Sequence, residues 1–478
     1  MRIVSTVLFL LCLFAQVMAQ KTILTGKATD YSGKEITFYT IAEPVIRQRL
    51  ELAKTKIAED GSFSVEFGVN ETIEIYADLE KYCGTMVVET GKNYTISLPP
   101  FSLRTSNEAH SSYYKPTPYW FGLGGTEKDN LNNAIRSFET DFNREININA
   151  VQIYQKLSKT VVNEIIKRLE LKYSSDNNLY FSTLKKYSFA ELEYIVNQRT
   201  SENVIKKYFA TQPIKLHHPV YQRAFETIFT DFLRKESLNL PNRKLINITN
   251  SGNYSELVSF FENKGYITEF AELVVLKGLN DGYYTGTFSK EGVIKALEMA
   301  RTATKTSILQ PVVNEINNKI LRLVVGVKAP PITLQNIKKE TVTLDKFSGK
   351  FTYLCFINSK SSDCITELDS IVSIEKRLGQ VLKVVAVALD DNFDNPSNLW
   401  KSKGYSWELL NGSKQKQLII NYNASITPAF YLIAPDGTLK LSQATSPSHG
   451  FEPLFLRILR DFNFKQPKPT NTKPVSKW

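Results

Sequence analysis

Among the side chains that could carry covalent chemistry, Cys364 stands in the most telling place. It lies in NSKSSDCITEL, Asn358 to Leu368, directly after the apolar run Phe351 to Ile357, which reads as a strand, and it opens what reads as a helix. At a helix amino terminus the free backbone N–H groups and the dipole stabilise a thiolate, whose pKa can fall to about 3.5 to 7.5. A sulfur so placed can attack a disulfide or a peroxide. The stretch holds only this one cysteine, however, and Asp363 beside it adds a negative charge that opposes thiolate formation. Cys355 lies within the strand and reads as a buried apolar side chain.

Other reactive types are scattered. His110, His217, His218 and His449 are the only histidines. None shares metal-ligand spacing with a cysteine or a carboxylate cluster, and the adjacent pair His217-His218 would point to different sides of any regular element. Surface or packing roles follow for all four. Asp390-Asp391-Asn392-Phe393-Asp394 has the alternation of a calcium loop, but Asn395 holds the glycine position and Lys401 that of the closing glutamate, so it reads as an acidic loop after a strand. Gly122-Leu123-Gly124-Gly125 lacks the preceding strand and following helix of a phosphate loop and reads as a flexible link. No metal and no cofactor is expected.

The elements that must position these residues fall into three segments. From residue 20 to 101, short alternating runs are broken by turn residues: Thr22 to Gly26, Ile36 to Tyr39, Gly61 to Phe67, Thr72 to Tyr76 and Tyr94 to Leu98. This predicts a β-sandwich. After a linker at 102–125, residues 126–323 show apolar spacings of three and four and predict an all-helical domain. Val151 to Leu169 reads there as one long helix; Phe189, Leu192 and Ile195, then Phe225, Ile228, Phe229 and Phe232, repeat the spacing. Asn239 to Asn242 and Asn280-Asp281-Gly282 read as breaks. In residues 324–464, strands at Phe351 to Ile357, Leu382 to Leu389, Ala429 to Ile433 and Thr438 to Leu441 alternate with helices at Asp363 to Leu378, Leu399 to Gly404, Leu418 to Tyr422 and Pro453 to Phe462. That order predicts an α/β sheet covered on both faces. The tail 465–478 reads as disordered.

The residues of the last segment carry a resemblance. Gly326 to Pro330, then Val342 to Lys350, a buried strand, a cysteine at a helix start, Val384 to Asp391, and Thr427-Pro428 before a hairpin turned at Pro435-Asp436-Gly437 together resemble the thioredoxin-like fold superfamily, in its exported disulfide-reductase (TlpA-like) and peroxiredoxin-related (AhpC/TSA) branch. The resemblance implies a multi-domain α+β protein: amino-terminal β-sandwich, central all-α domain and carboxy-terminal thioredoxin-like α/β domain. It also implies that the family's Cys-x-x-Cys falls on Ser361-Ser362-Asp363-Cys364, with serine where the attacking cysteine would stand. Thr427 and Pro428 take the place of the family's cis-proline beside the active cysteine, where extended peptides pair. Peroxiredoxins resemble the same scaffold but use Pro-x-x-x-Thr-x-x-Cys; Ser361 and Cys364 fit its second half, while Ile357 stands where the proline would.

Composition bounds the function. The 478 residues carry a formal charge of +11, but Lys and Arg are interspersed with Asp and Glu, without the clustered basic face that nucleic acid requires. Residues 1–19, with Arg2, the apolar run Val7 to Phe14 and Val17-Met18-Ala19, read as a cleaved secretory signal. The expected site is therefore the periplasm or cell envelope, with no transmembrane segment in the mature chain. Loss of Cys12 with the signal leaves Cys83, Cys355 and Cys364, an odd number. Two readings follow: an envelope protein that binds or scaffolds a protein or peptide partner without dithiol catalysis, or a single-cysteine thiol oxidoreductase or peroxidase in which Cys364 is the nucleophile and Ser361 orients the substrate.

Overall fold

The computed structural model describes residues 20–105, 108, 114–124, 131–413 and 415–465. The expected signal, Cys12, His110, Gly125 and the tail beyond residue 465 lie outside these residues. The chain divides into two compact units, Met1–Ile316 and Asn317–Trp478.

The first unit begins as a β-sandwich. Strands β1 (Gln20–Lys27), β4 (Ser62–Val69), β7 (Asn93–Ser97) and β9 (Gly122–Gly124) form one sheet in the order β4-β1-β7-β9. The other, β3-β2-β5-β6-β8, is built from β2 (Glu35–Ile41), β3 (Arg49–Lys56), β5 (Ile73–Leu79), β6 (Tyr82–Val88) and β8 (Thr117–Trp120). The strict alternation of β4 shows the cause: Phe63, Val65, Phe67 and Val69 are buried, and the serines, Glu66 and Gly68 between them are exposed. Leu24, Phe38, Ile75, Met86 and Phe121 join them in one core.

The stretch expected as a flexible link is instead structural. Thr117–Trp120 pairs with β6 and Gly122–Gly124 with β7, so the chain steps from one sheet to the other. Between them Phe121 drops into the core and donates its N–H to the Thr85 carbonyl, 3.0 Å away. Gly84 leaves room for that ring: a Cβ there would lie 2.3 Å from a Phe121 ring carbon.

Helices Leu131–Ile148, Lys159–Lys172, Leu179–Val196, Pro219–Phe229, Thr268–Thr285 and Lys290–Ala303 are the longer members of the helical region. Three readings need correction. Phe225 to Phe232 does not lie on one helix, because Asp231 takes φ 58° between helices Pro219–Phe229 and Phe232–Asn239. The long helix expected over Val151 to Leu169 is broken: Leu157 takes φ 48°, and Ser158 caps a new helix by accepting the Val161 N–H. Asn280-Asp281-Gly282 is no break but the interior of Thr268–Thr285, because Gly282 there makes room for the Phe288 ring, which a Cβ would approach to 2.6 Å.

Side-chain amides dock these helices on the sandwich. The buried Asn132 accepts the Val87 N–H and donates to the Val87 carbonyl, each at 2.8 Å. Gln222 donates to the Ile41 carbonyl at 3.0 Å. His218, buried against the Tyr180 ring with centroids 4.2 Å apart, has Nε2 3.1 Å from the Tyr180 carbonyl.

The second unit is a five-stranded sheet, β14-β13-β12-β15-β16, from β12 (Phe351–Ile357), β13 (Leu382–Ala388), β14 (Glu408–Asn411), β15 (Ala429–Ile433) and β16 (Leu439–Ser442). Strands β12, β13 and β14 run parallel, and β15 and β16 are antiparallel to their neighbours. Every residue of β12 is buried. Phe351, Tyr353, Cys355 and Ile357 join a core with helices Ser362–Leu378 and Phe451–Lys465, while Leu354 and Phe356 join one on the opposite face, so the sheet is covered on both sides as expected. A short hairpin, β10 (Thr333–Gln335) with β11 (Thr341–Thr343), supplies Leu334 and Val342 to that second core.

Two outcomes test this packing. Asn132→Ala leaves the Val87 N–H and carbonyl buried without partners and lowers unfolding stability by about 2 to 4 kcal/mol, read from urea midpoints. His218 is held neutral, since burial pulls its pKa from 6.5 to about 4. The unfolded chain takes up this proton below about pH 6.5 and the folded chain only near 4, so stability present above 6.5 falls with acid, by about 3 kcal/mol for this group. His218→Gln flattens that loss, as seen by comparing urea midpoints at about pH 7 and about pH 4.5.

Candidate functional site

The end of β12 is where the expected site residues gather. After Ile357 the chain turns through Asn358 to Ser361 and enters helix Ser362–Leu378. Ser361 is the N-cap: with extended backbone its Oγ accepts the Cys364 N–H at 3.3 Å, satisfying one of the orphan donors of the first turn. The turn is held from outside by Asp390, just past β13. Its buried carboxylate accepts the Ser359 N–H at 3.1 and 3.2 Å and the Ser359 hydroxyl at 2.5 Å. The Asn358 side chain accepts the Lys360 N–H at 2.9 Å.

Cys364 is fully buried, at 0% exposure, on the helix face that also carries Leu368 and Ile371. Its Sγ accepts the Asn358 N–H at 3.5 Å. Cys355 is equally buried, and burial, reinforced by the nearby Cys364 and Glu367, pushes its thiol pKa well up. Cys83 lies in the other unit, half-buried on β6 with its Sγ 3.7 Å from the Tyr39 hydroxyl; burial and then Asp78 push its pKa up as well. All three are free thiols. Asp363 points to solvent.

Thr427 and Pro428 stand at the entry to β15 and are joined by a cis peptide bond. The pairing of Phe356 with Ala429 places them at the same end of the sheet as the Asn358–Ser361 turn. Both are half-buried, and Ile426 before them is 66% exposed.

Two carboxylates at this end were not singled out as site residues from sequence. Glu367, one helical turn beyond Cys364, is buried and accepts the Ser448 N–H at 2.9 Å and the Ser448 hydroxyl at 2.5 Å. The Ser446 and Ser448 hydroxyls both lie 2.8 Å from His449 Nδ1, and that nitrogen is 3.7 Å from Glu367. The visible signal was spacing: a glutamate three residues from a buried cysteine and next to Leu368 sits on the apolar face of the helix, where a carboxylate needs donors. Asp390 was visible as an acidic loop residue, but its bond to Ser359 is set by the sheet.

His217 pairs: its Nδ1 lies 2.5 Å from Glu71 at the surface of the first unit. Among the described residues no group of three histidines, cysteines or carboxylates is placed to hold a metal, and no helix is long and apolar enough to cross a membrane.

Because Asp390 is the tie of the turn, Asp390→Ala leaves the Ser359 N–H unanswered. A loss of about 2 to 3 kcal/mol is expected in urea unfolding, together with faster alkylation of Cys364 followed by peptide mass spectrometry.

Comparison with known proteins bears on this half of the chain. A sequence model of the AhpC/TSA family matches residues 325–442. No curated protein sequence matches the chain. Among solved structures, the chain is similar to the thioredoxin domain of a thiol-disulfide oxidoreductase from Bacteroides vulgatus, at 19% identity over 28% of this chain and 99% of that one, TM-score 0.27. It is also similar to a thiol:disulfide interchange protein from Bacteroides sp., at 19% identity over 30% of this chain and 92% of that one, TM-score 0.26. A third is a domain of a possible thiol-disulfide isomerase from Cytophaga hutchinsonii, at 18% identity over 30% and 98%, TM-score 0.28. With the AhpC/TSA match lying over the sheet β12 to β16, the carboxy-terminal domain is thioredoxin-like.

Proposed function

We propose that the thioredoxin-like domain recognises a protein or peptide partner in the periplasm or cell envelope and performs no dithiol exchange. The observation that carries this reading is Ser361: it stands where the family's attacking cysteine would be, and its hydroxyl is committed to capping the helix on the Cys364 N–H. Exchange begins when a thiolate attacks a disulfide sulfur, forms a mixed disulfide and expels the other sulfur as thiolate. A serine hydroxyl can do neither part. The one sulfur left in the motif, Cys364, presents no surface to a substrate.

The binding half of the site supports recognition. Thr427 and Pro428 lead into β15 beside the turn, and exposed Ile426 offers apolar surface next to free backbone. An extended peptide there could pair with backbone and seat a side chain, as strand-addition ligands do. The single-cysteine reading keeps one observation in its favour, the Asn358 N–H aimed at Cys364 Sγ, which would steady a thiolate if the site opened.

Thiol trapping separates the two readings. The native chain, treated with stoichiometric peroxide and then an alkylating reagent, is expected to leave Cys364 and Cys355 untouched until it is unfolded, and to reduce no insulin. The Ser361→Cys variant is expected to form a disulfide with Cys364 and to gain insulin reduction. Selective, rapid oxidation of Cys364 in the native chain would establish the enzyme instead. A Ser361→Cys variant that neither crosslinks nor reduces insulin would show that residue 361 is not the site of the lost cysteine.

A further inference from the structure

The apex of a helical hairpin in the first unit carries large apolar side chains that no described residue covers. Asp141 accepts from Lys172 and, at 2.6 Å, from the Tyr173 hydroxyl; one turn further on, Glu145 pairs with Arg168 at 2.6 Å. Advance along one helix matches retreat along the other, so Leu131–Ile148 and Lys159–Lys172 run antiparallel and residues 149–158 form the bend between them. That bend is itself helical. Ile153 donates its N–H to the Asn149 carbonyl at 3.0 Å, and Lys156 and Ser158 donate theirs to Val151 and Gln152 at 3.1 and 2.9 Å.

Its side chains divide by direction. Ile153 is fully buried, where the bend packs on helix Leu179–Val196. Ile148, Val151 and Tyr154 recur at spacings of three, which lines them along one stripe, and they are 73, 52 and 54% exposed; Leu157 follows at 43%. No Asp or Glu occurs from Ile146 to Asn163, while Lys156 and Lys159 are exposed and pair with no described residue. Of the acids around the apex, Glu145 is held by Arg168, Glu191 by Arg223 and Glu193 by Lys207, which leaves Glu164, just past the stretch, as the first uncommitted one. The apex is apolar and cationic at once.

That composition decides what covers it. A stable protein partner needs about 20 to 30 residues a side, and this patch offers four large apolar side chains. A second copy of the chain, related by a two-fold axis, would set this lysine-bearing patch against itself, like charge against like. A bilayer with anionic headgroups suits both features. It takes exposed apolar side chains into its headgroup layer, places tyrosine at the boundary where ring and hydroxyl are each satisfied, and attracts unpaired lysines. The chain's formal charge of +11 acts in the same direction.

We propose that this apex docks on an anionic lipid surface: Ile148, Val151, Tyr154 and Leu157 enter the headgroup layer, and Lys156 and Lys159 meet lipid phosphates. The contact is peripheral and reversible, since so few buried side chains do not anchor a protein permanently.

Flotation of the full chain with vesicles tests it. Vesicles of equal parts phosphatidylglycerol and phosphatidylcholine are expected to carry the chain upward, with affinity about tenfold or more above that for phosphatidylcholine alone. Salt at about 0.5 M is expected to remove most of that difference by screening. The double variants Ile148→Ser with Tyr154→Ser, and Lys156→Gln with Lys159→Gln, change exposed positions only, and each is expected to weaken binding to the anionic vesicles about tenfold or more. Leu171→Ser, exposed at the far end of the hairpin, and Lys338→Gln with Lys339→Gln, exposed in the other unit, are expected to bind as the native chain does. Failure of the native chain to float with anionic vesicles, or unchanged binding in Ile148→Ser with Tyr154→Ser, overturns the proposal. So does an equal loss in the Lys338→Gln, Lys339→Gln control, which would make net charge the cause, or a dimer in size-exclusion chromatography that Ile148→Ser with Tyr154→Ser abolishes.

Discussion

A strand buried on both faces cannot fade into solvent. It has to stop, and the polar groups of its last turn must be answered on the spot. Strand β12 meets that constraint at Ile357, and the answer is the carboxylate of Asp390, which takes both donors of Ser359. The turn so fixed aims Ser361 at the first free amides of the next helix, and the helix in turn carries Cys364 inward beneath the turn. The same arrangement that would present a cysteine at position 361 to a substrate keeps the sulfur at 364 away from one. On the function proposed above, loss of dithiol exchange needs no rearrangement of the scaffold, only an oxygen in place of one sulfur.

How much of this was legible in the sequence depended on where the information resides. The seven residues of β12, the helix start at Ser361 and the proline at the head of β15 are written in local chemistry: unbroken apolar composition, a capping residue and a rigid imino acid. Strand β3, with the sequence RLELAKTK and mostly exposed side chains, was not, because edge strands are kept charged to discourage further pairing. Its identity comes from its partner β2. Strand β14, four residues long, is defined in the same way by β13.

The glycines make the same point. Gly122 and Gly124 in a short run suggest slack chain, and Asn280-Asp281-Gly282 suggests a turn, yet Gly122 and Gly124 pack closely on Ser97 and Thr95 of β7 and Gly282 on the Phe288 ring just past its own helix. Leu157, with its left-handed backbone, interrupts a pattern that periodicity alone would continue, since Ser158 and the exposed Val151 and Tyr154 leave nothing to hold a straight helix there, and Asp231, at φ 58°, does the same between Phe229 and Phe232. At the site itself, residue type was readable and partnership was not. Asp390 and Ser359, or Glu367 and Ser448, are dozens of residues apart and meet only because the sheet and the final helix bring them together.

The passage of the chain from β8 through Phe121 to β9 has a mechanical consequence. A sandwich held by side-chain packing alone lets its two layers slide, because dispersion contacts resist separation better than shear. Here the chain steps directly from the edge strand of one layer to the edge strand of the other, hydrogen-bonded into each and riveted midway by the buried Phe121 ring. Relative sliding of the layers would have to tear both pairings at once, so the outer face of the second sheet becomes a rigid bench for the helices that Asn132 and Gln222 fasten to it.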